Sequence, residues 1–311
     1  MIALEDVTKR YGGGRRSGGV LAINALTLHV DAGDTIAIAG PNGAGKSTLL
    51  GLILGFLRPT RGVATLDGML PRDYLRASGA AWLSERFQLP PEWPVEAALN
   101  AFGRLEGMKG DAAKRRTSEM LERLDLGAVA KRAIGTLSRG QLQRVGLAQT
   151  FLVPRRLVVL DEPTEGLDPR GRVQFRELVA EQRSWGATIV IASQDLAEVE
   201  RIANRAVVLA NGGIRESLEL NQPPEEGRWT LRLTRPHAAV AELFPGATPL
   251  NDGDADASFA ITARDPSDLS TRLAALIHAG ATVLEVTPVR PSLEQRVRLA
   301  METSPTGDGT P

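Results

Sequence analysis

Residues Gly40 to Thr48 read G-P-N-G-A-G-K-S-T, the spacing G-x-x-x-x-G-K-[ST]. Glycines at this spacing let successive backbone N–H groups converge on one point, and a helix starting just after them aims its positive end there. Lys46 is then placed to reach the β- and γ-phosphates of a nucleotide, Ser47 to hold Mg²⁺, and Thr48 to meet the other phosphates. The segment falls between a strand-like run, "DTIAIAG", and an apolar helical run, the context such a loop needs. An ordinary glycine-rich turn does not explain that combination.

Two more segments carry polar groups at the ends of apolar runs. In "RLVVLDEPTEGLDP", four apolar residues deliver Asp161 and Glu162 to the end of a buried strand. Alone, two adjacent acids there are solvated turn residues. Beside a phosphate loop, Asp161 can hold Mg²⁺ through water and Glu162 can polarise an attacking water. In "TIVIASQDLAEVE", the β-branched run ends at Ser193, Gln194 and Asp195. The carboxyl ends of strands in open α/β sheets are where ligands sit, so Gln194 is expected at the site as well.

These residues need a framework to bring them together. Strands alternate with helices from residue 35 to about 217, which predicts a mostly parallel α/β sheet. Residues 1–38 read as short β-runs joined by turns, with "GGGRRSGG" as a flexible hairpin connection rather than a phosphate loop, since no helix follows it. The apolar segment Leu49–Leu57 predicts a buried helix stopped by Pro59. Residues 95–131 are helical in pattern, with Met120, Leu121 and Leu124 on one apolar face. A helix reaching Trp185 should stop at Gly186. Residues 218–227, "LELNQPPEEG", predict a linker, and 228–302 a small α+β unit closed by a helix from Ser292, with Gln295 completing a capping box. The tail 303–311 is expected to be disordered.

Composition narrows the function. The 311 residues contain 37 Lys plus Arg and 37 Asp plus Glu, so no net field draws the chain to nucleic acid. There is no cysteine, which removes disulfides and thiolate zinc sites and fits a reducing cytoplasm. No apolar run approaches the roughly 20 residues of a membrane span, and "MIALEDVTKR" has no signal-peptide character. Direct membrane insertion is therefore not expected. The three histidines, His29, His237 and His278, lie far from the motifs and read as surface or packing residues.

Taken in order and spacing, "GPNGAGKST", "LSRGQLQR", "LVVLDEPTEGLDP" and "SQDLAEVE" resemble the ATP-binding-cassette (ABC) ATPases over residues 1 to about 217. The resemblance implies a P-loop NTPase, α/β in class, with antiparallel β and helical subdomains (the latter about 86–140), plus the small α+β unit. It implies MgATP as ligand and a head-to-tail dimer. In that dimer Ser138, Gly140 and Gln141 of one copy would close on the γ-phosphate held by the loop Gly40, Pro41, Asn42, Gly43, Ala44, Gly45, Lys46, Ser47 and Thr48 of the other. Tyr11 matches the aromatic that stacks on adenine, and Asp168 the residue that communicates across the dimer. Glu85 stands where the family places a Gln that senses Mg²⁺, and an acid there can reach the ion through water. Arg139 replaces a glycine of the signature, with its side chain expected to point away from phosphate. Gln194 replaces the switch histidine, keeping a hydrogen-bond donor and losing the option of positive charge.

"RPSLEQRV" is similar to the "PSLE" segment closing many export-type ABC ATPases, with Val297 where an aromatic is common. A capped terminal helix with no further role is the plainer alternative. The implied partner is an integral membrane permease, which would hold the chain at the inner face of the cell membrane. In "FQLPPEWP", Phe87, Leu89 and Trp93 either dock that partner or pack on the cassette's own core. A non-transport ABC protein and an ATP-gated dimerisation switch with little turnover are the rival readings.

Overall fold

The computed structural model describes residues 1–12, 19–220, 227–251, 256–289 and 292–302. The phosphate loop follows strand β3 in a six-stranded sheet, ordered β5-β6-β7-β3-β8-β9. Its strands are β3 (Thr35–Ala39), β5 (Ala81–Leu83), β6 (Leu157–Asp161), β7 (Thr188–Ala192), β8 (Arg205–Ala210) and β9 (Gly213–Glu219). All neighbours pair in parallel except β8 and β9. Strands β3, β6 and β7 are buried at every position, which is why their sequences run as unbroken apolar stretches rather than alternating.

A second, antiparallel sheet sets β1 (Ile2–Tyr11) between β2 (Val20–Val30) and β4 (Arg61–Leu66). Between the two sheets' apolar faces lies α1 (Lys46–Ile53), with Leu49, Leu50, Leu52 and Ile53 buried. This helix ends before the proline expected to stop it. Gly55 takes a left-handed φ of 64°, and the Leu54 and Gly55 N–H groups close back on Leu50 and Leu52. A Cβ there would also sit 3.1 Å from Pro71 and Arg72, so glycine is required on two counts and Pro59 lies beyond the finished helix.

Helices α2 (Pro71–Ser78), α3 (Val95–Leu105), α4 (Gly110–Arg123), α5 (Arg139–Thr150), α6 (Pro169–Ser184) and α7 (Leu196–Glu200) complete this part. The apolar face expected on α4 is buried, with Met120, Leu121 and Leu124 in one cluster with α3 and α5 residues. Trp185 caps α6 and Gly186 follows with φ 77°, as the sequence suggests. Phe87 and Leu89 pack against this core, and a Cβ on Gly146 would lie 3.2 Å from the Phe87 ring. Phe87 is thus half-buried against the core. Trp93 stays 43% exposed.

The second compact unit spans residues 221–292. Strands β10 (Arg228–Leu233), β11 (Thr248–Pro249), β12 (Ala257–Thr262) and β13 (Val283–Pro288) alternate with α8 (Ala239–Leu243) and α9 (Pro266–His278). The sheet order β11-β12-β10-β13 makes this a βαββαβ, split-βαβ unit. Leu231, Leu233, Phe244, Ile261 and Leu276 form its core.

One expectation is corrected. The last helix, α10 (Leu293–Glu302), belongs by its position in the sequence to the accessory unit, yet in the structure it groups with residues 1–220. Leu293 is fully buried in the cluster containing Val199, Ile202, Val208 and Leu218, and Val297, Ala300 and Met301 pack onto it. Arg296 Nη1 donates to the Glu219 carbonyl at 3.0 Å. Burying a leucine contributes about 1.5–3 kcal/mol, which stabilises the helix in this place. The expected linker falls mostly at 221–226, and the expected tail at 303–311, both outside the described residues; so do Arg290 and Pro291 of "RPSLEQRV" and residues 13–18 of the glycine-rich connection.

Candidate functional site

The parallel strands end on one side of the sheet, and their carboxyl ends deliver the predicted groups to one place. The P-loop follows β3, Glu85 follows β5, Asp161 and Glu162 end β6, and Ser193 and Gln194 follow β7. They surround a cavity of about 310 Å³ lined by Asn42, Gly43, Gly45 to Thr48, Glu85, Asp161, Glu162 and Gln194. Val20, Leu21 and Ala22 of β2 form an apolar wall that the motifs do not reveal. The signal available was their apolar run immediately after the glycine-rich connection.

The loop is held by its own chain. Gly40 and Gly45 have φ of 149° and 108°, and a Cβ on either would clash with a backbone oxygen, of Leu209 at 2.3 Å and of Ala22 at 2.6 Å. The Lys46 ammonium donates to the carbonyls of Gly40 at 2.8 Å and Pro41 at 3.2 Å, and the residue is only 8% exposed. Gly40, Pro41 and Ala44 thus shape the loop, while Asn42, Gly43 and Gly45 face the cavity. Tyr11 is half-exposed, its hydroxyl 3.3 Å from Thr48 Oγ1 and its ring under the Lys9 ammonium. Among the described residues, the wall beside the loop comes from β2 and not from this ring.

Asp161 is buried and bonded by the Ser47 hydroxyl. Burial pushes its carboxyl up to about 6; the Glu85 and Glu162 carboxylates add to the rise, while the Ser47 bond and the Lys46 cation oppose it. Three acids thus line a cavity whose one ammonium is engaged by two carbonyls. That arrangement is short of positive charge and fits a hard divalent cation. Among the described residues no three acidic or His side chains converge as a metal cage, but Mg²⁺ keeps most of its water and takes only one or two protein carboxylates. Ser47 and Asp161, bonded to each other at the cavity, could hold such an ion.

Glu162 adopts a left-handed φ of 48°. Its Oε2 accepts from Ser193 Oγ and from the Gln194 N–H, both at 3.1 Å. Its Oε1 is buried and has no hydrogen-bond partner among the described residues. The Gln194 carboxamide is exposed and donates to Asn42 Oδ1 at 3.1 Å, tying β7 to the phosphate loop. Arg172 pairs with Asp195 just beyond it.

The remaining predicted residues are elsewhere. Ser138, Gly140, Gln141 and Asp168 line a separate cavity of about 390 Å³ that shares no residue with the first. Ser138 and Gln141 form a reciprocal capping box at the start of α5 (3.3 and 3.0 Å). Asp168 caps α6 through the Gly171 N–H and accepts from Arg144, each at 2.7 Å; these bonds hold its carboxyl below the usual carboxylate range. Arg139 turns away to pair with Glu165. Sequence reasoning missed Gln143, whose amide donates to the Glu162 and Pro163 carbonyls.

Comparison with known proteins agrees with this geometry. A family model described as ABC transporter matches residues 23–165. The doxorubicin resistance ATP-binding protein of Mycobacterium tuberculosis is 32% identical over 218 residues, 68% of this chain and 63% of that protein, so less than two thirds of its length is covered. A daunorubicin resistance ATP-binding protein of Streptomyces coeruleorubidus is 30% identical over 304 residues, 94% of this chain and 93% of that protein. Among solved structures, an ATP-binding cassette in a dimeric post-hydrolysis state with ADP and Pi superposes with a TM-score of 0.65 at 25% identity, covering 72% of this chain and 100% of that one. With a relative of this identity aligned over nearly its whole length, the chain belongs to the ABC transporter family and carries its ATP-binding cassette.

Proposed function

We propose that the chain is the ATP-hydrolysing subunit of an ABC exporter, working as a homodimer on a separately encoded membrane permease at the inner face of the cell membrane. One observation supports the dimer: the P-loop and the Ser138 helix end line two separate cavities. A second copy, head to tail, would place the Ser138 helix end over the P-loop and bring the two together. Export is supported by the alignment with a daunorubicin resistance protein that runs through the accessory unit. No helix among the described residues is long and apolar enough to cross a membrane; in this reading the transport path belongs to the permease.

In this reading Lys46 exchanges its loop carbonyls for phosphate oxygens, and the amides of Asn42 to Ser47 surround them. Ser47 and Asp161, with Glu85 nearby, would hold Mg²⁺, which would supply screening of the phosphate charge. The Glu162 carboxylate accepts a proton from the attacking water. Purifying the tagged chain from native membranes tests the partner. A polytopic membrane protein should be recovered with it, and ATP should drive solute out of cells expressing both; recovery of the chain alone, or ATP-driven uptake, overturns the assignment.

The second reading, a dimerisation switch with little turnover, is favoured by Gln194. The carboxamide can turn from Asn42 to offer the γ-phosphate one neutral donor, where a His can carry charge. Hydrogen bonds to charged groups are worth about 1.5–3 kcal/mol, so Gln194→His should raise kcat by roughly 10- to 100-fold. ATP affinity should change little, since the loop holds the ground-state phosphates. Steady-state kinetics on the assembled complex check this. A His variant no faster than the parent makes Gln194 a full substitute.

A further inference from the structure

The loop from Glu162 to Asp168 lies along one face of α5, held by four residues of that helix. Arg139 pairs with Glu165. Gly140 approaches so closely that a Cβ on it would lie 2.7 Å from the Gly166 oxygen. Gln143 Nε2 donates to the carbonyls of Glu162 at 3.2 Å and Pro163 at 2.8 Å. Arg144 Nη2 reaches Asp168 Oδ1 at 2.7 Å. Positions 139, 140, 143 and 144 share one helical face.

The Gln143 contact differs from the others in what it grips. It holds the peptide that carries the water-activating carboxylate, and that peptide is strained. A left-handed φ at a residue with a Cβ persists only when its surroundings over-determine it. The Glu162 N–H is fixed on the Ala192 carbonyl at 2.8 Å. Gln143 supplies the clamp on the other side, one N–H for each of two successive carbonyls.

We propose that Gln143 is a positioning residue for Glu162. Its carboxamide fixes the Glu162–Pro163 peptide, which sets the direction of the carboxylate. Because Gln143 rides on the helix that begins at Ser138, the helix receiving phosphate from a second copy also sets the acid of its own chain. This last step rests on the dimeric reading given above.

Gln143→Leu removes both donors at similar volume, and Gln143→Glu places an acceptor against two carbonyls. Either should lower kcat at least about tenfold while KM for ATP stays within about twofold. A merely structural role would lower affinity and melting temperature together. Backbone hydrogen exchange gives a readout independent of turnover. In Gln143→Leu, amides of residues 160–166 should exchange faster while those of 40–50 do not change. In a Glu162→Gln background ATP should slow exchange at 160–166, and adding Gln143→Leu should remove that slowing. Parental kcat and parental exchange in Gln143→Leu overturn the proposal. A parent chain that neither hydrolyses ATP nor dimerises overturns the functional reading instead, and the exchange pattern without ATP still decides whether the clamp exists.

Discussion

Glu162→Gln is expected to abolish turnover and to convert a transient ATP-bound dimer into a stable one. The amide keeps the shape of the carboxylate, and its oxygen can still accept from Ser193 Oγ and the Gln194 N–H. An amide lacks the basicity with which a carboxylate takes a proton from water. Loss of a positioned general base costs about 10²- to 10⁴-fold in rate. The phosphate contacts lie on other residues and remain, so the closed state forms and does not discharge. Size-exclusion chromatography with MgATP should show a dimer in the variant at concentrations where the parent elutes as a monomer. Parental hydrolysis, or a variant monomeric with ATP, would remove Glu162 from this role.

Lys46→Ala should weaken MgATP binding by at least roughly tenfold, and by more than 100-fold if two bonds are lost, since each charge-assisted hydrogen bond is worth about 1.5–3 kcal/mol. The structure adds a second reason for a large effect. The same ammonium holds the Gly40 and Pro41 carbonyls, so alanine leaves the loop without its internal brace as well as without a phosphate ligand. Calorimetry with MgATP checks the value, and unchanged affinity would move the nucleotide elsewhere. Lys46→Arg separates the two contributions: it keeps the charge but a planar guanidinium cannot occupy the same turn. An affinity loss close to that of alanine would show that fit, not charge alone, is required.

Much of this site is legible in the sequence because its parts are local. Gly40 to Thr48 form one continuous turn, and Asp161, Glu162 and Gln194 each sit at the end of an apolar run that can only be a buried strand. Parallel pairing then brings those ends together without further information. Other features depend on placement across the fold. Nothing in "LSRGQLQR" shows that the Gln143 amide will meet carbonyls 19 and 20 residues later, because a polar residue on a helix reads the same whether it faces solvent or a neighbouring loop. Val20 to Ala22 look like the start of a strand and become a cavity wall only once β2 reaches the P-loop. The apolar face of α10 would suit either core equally well; which one it joins is decided by packing volume and not by pattern. Gly55 ends α1 ahead of the more conspicuous Pro59 for a similar reason, since the glycine is needed where α2 approaches.

The position of α10 bears on how the chain acquires its fold during synthesis. With residues 221–292 forming a unit of their own and Leu293 buried among Val199, Ile202 and Leu218, the accessory unit is topologically an insertion within the cassette. A nascent chain that has emerged only as far as Leu220 carries every nucleotide-binding motif, yet leaves open the apolar groove that α10 fills. The cassette therefore cannot reach its final core until the inserted unit has been made. Within the cassette α10 is a late-arriving latch, made after every one of the nucleotide-binding motifs.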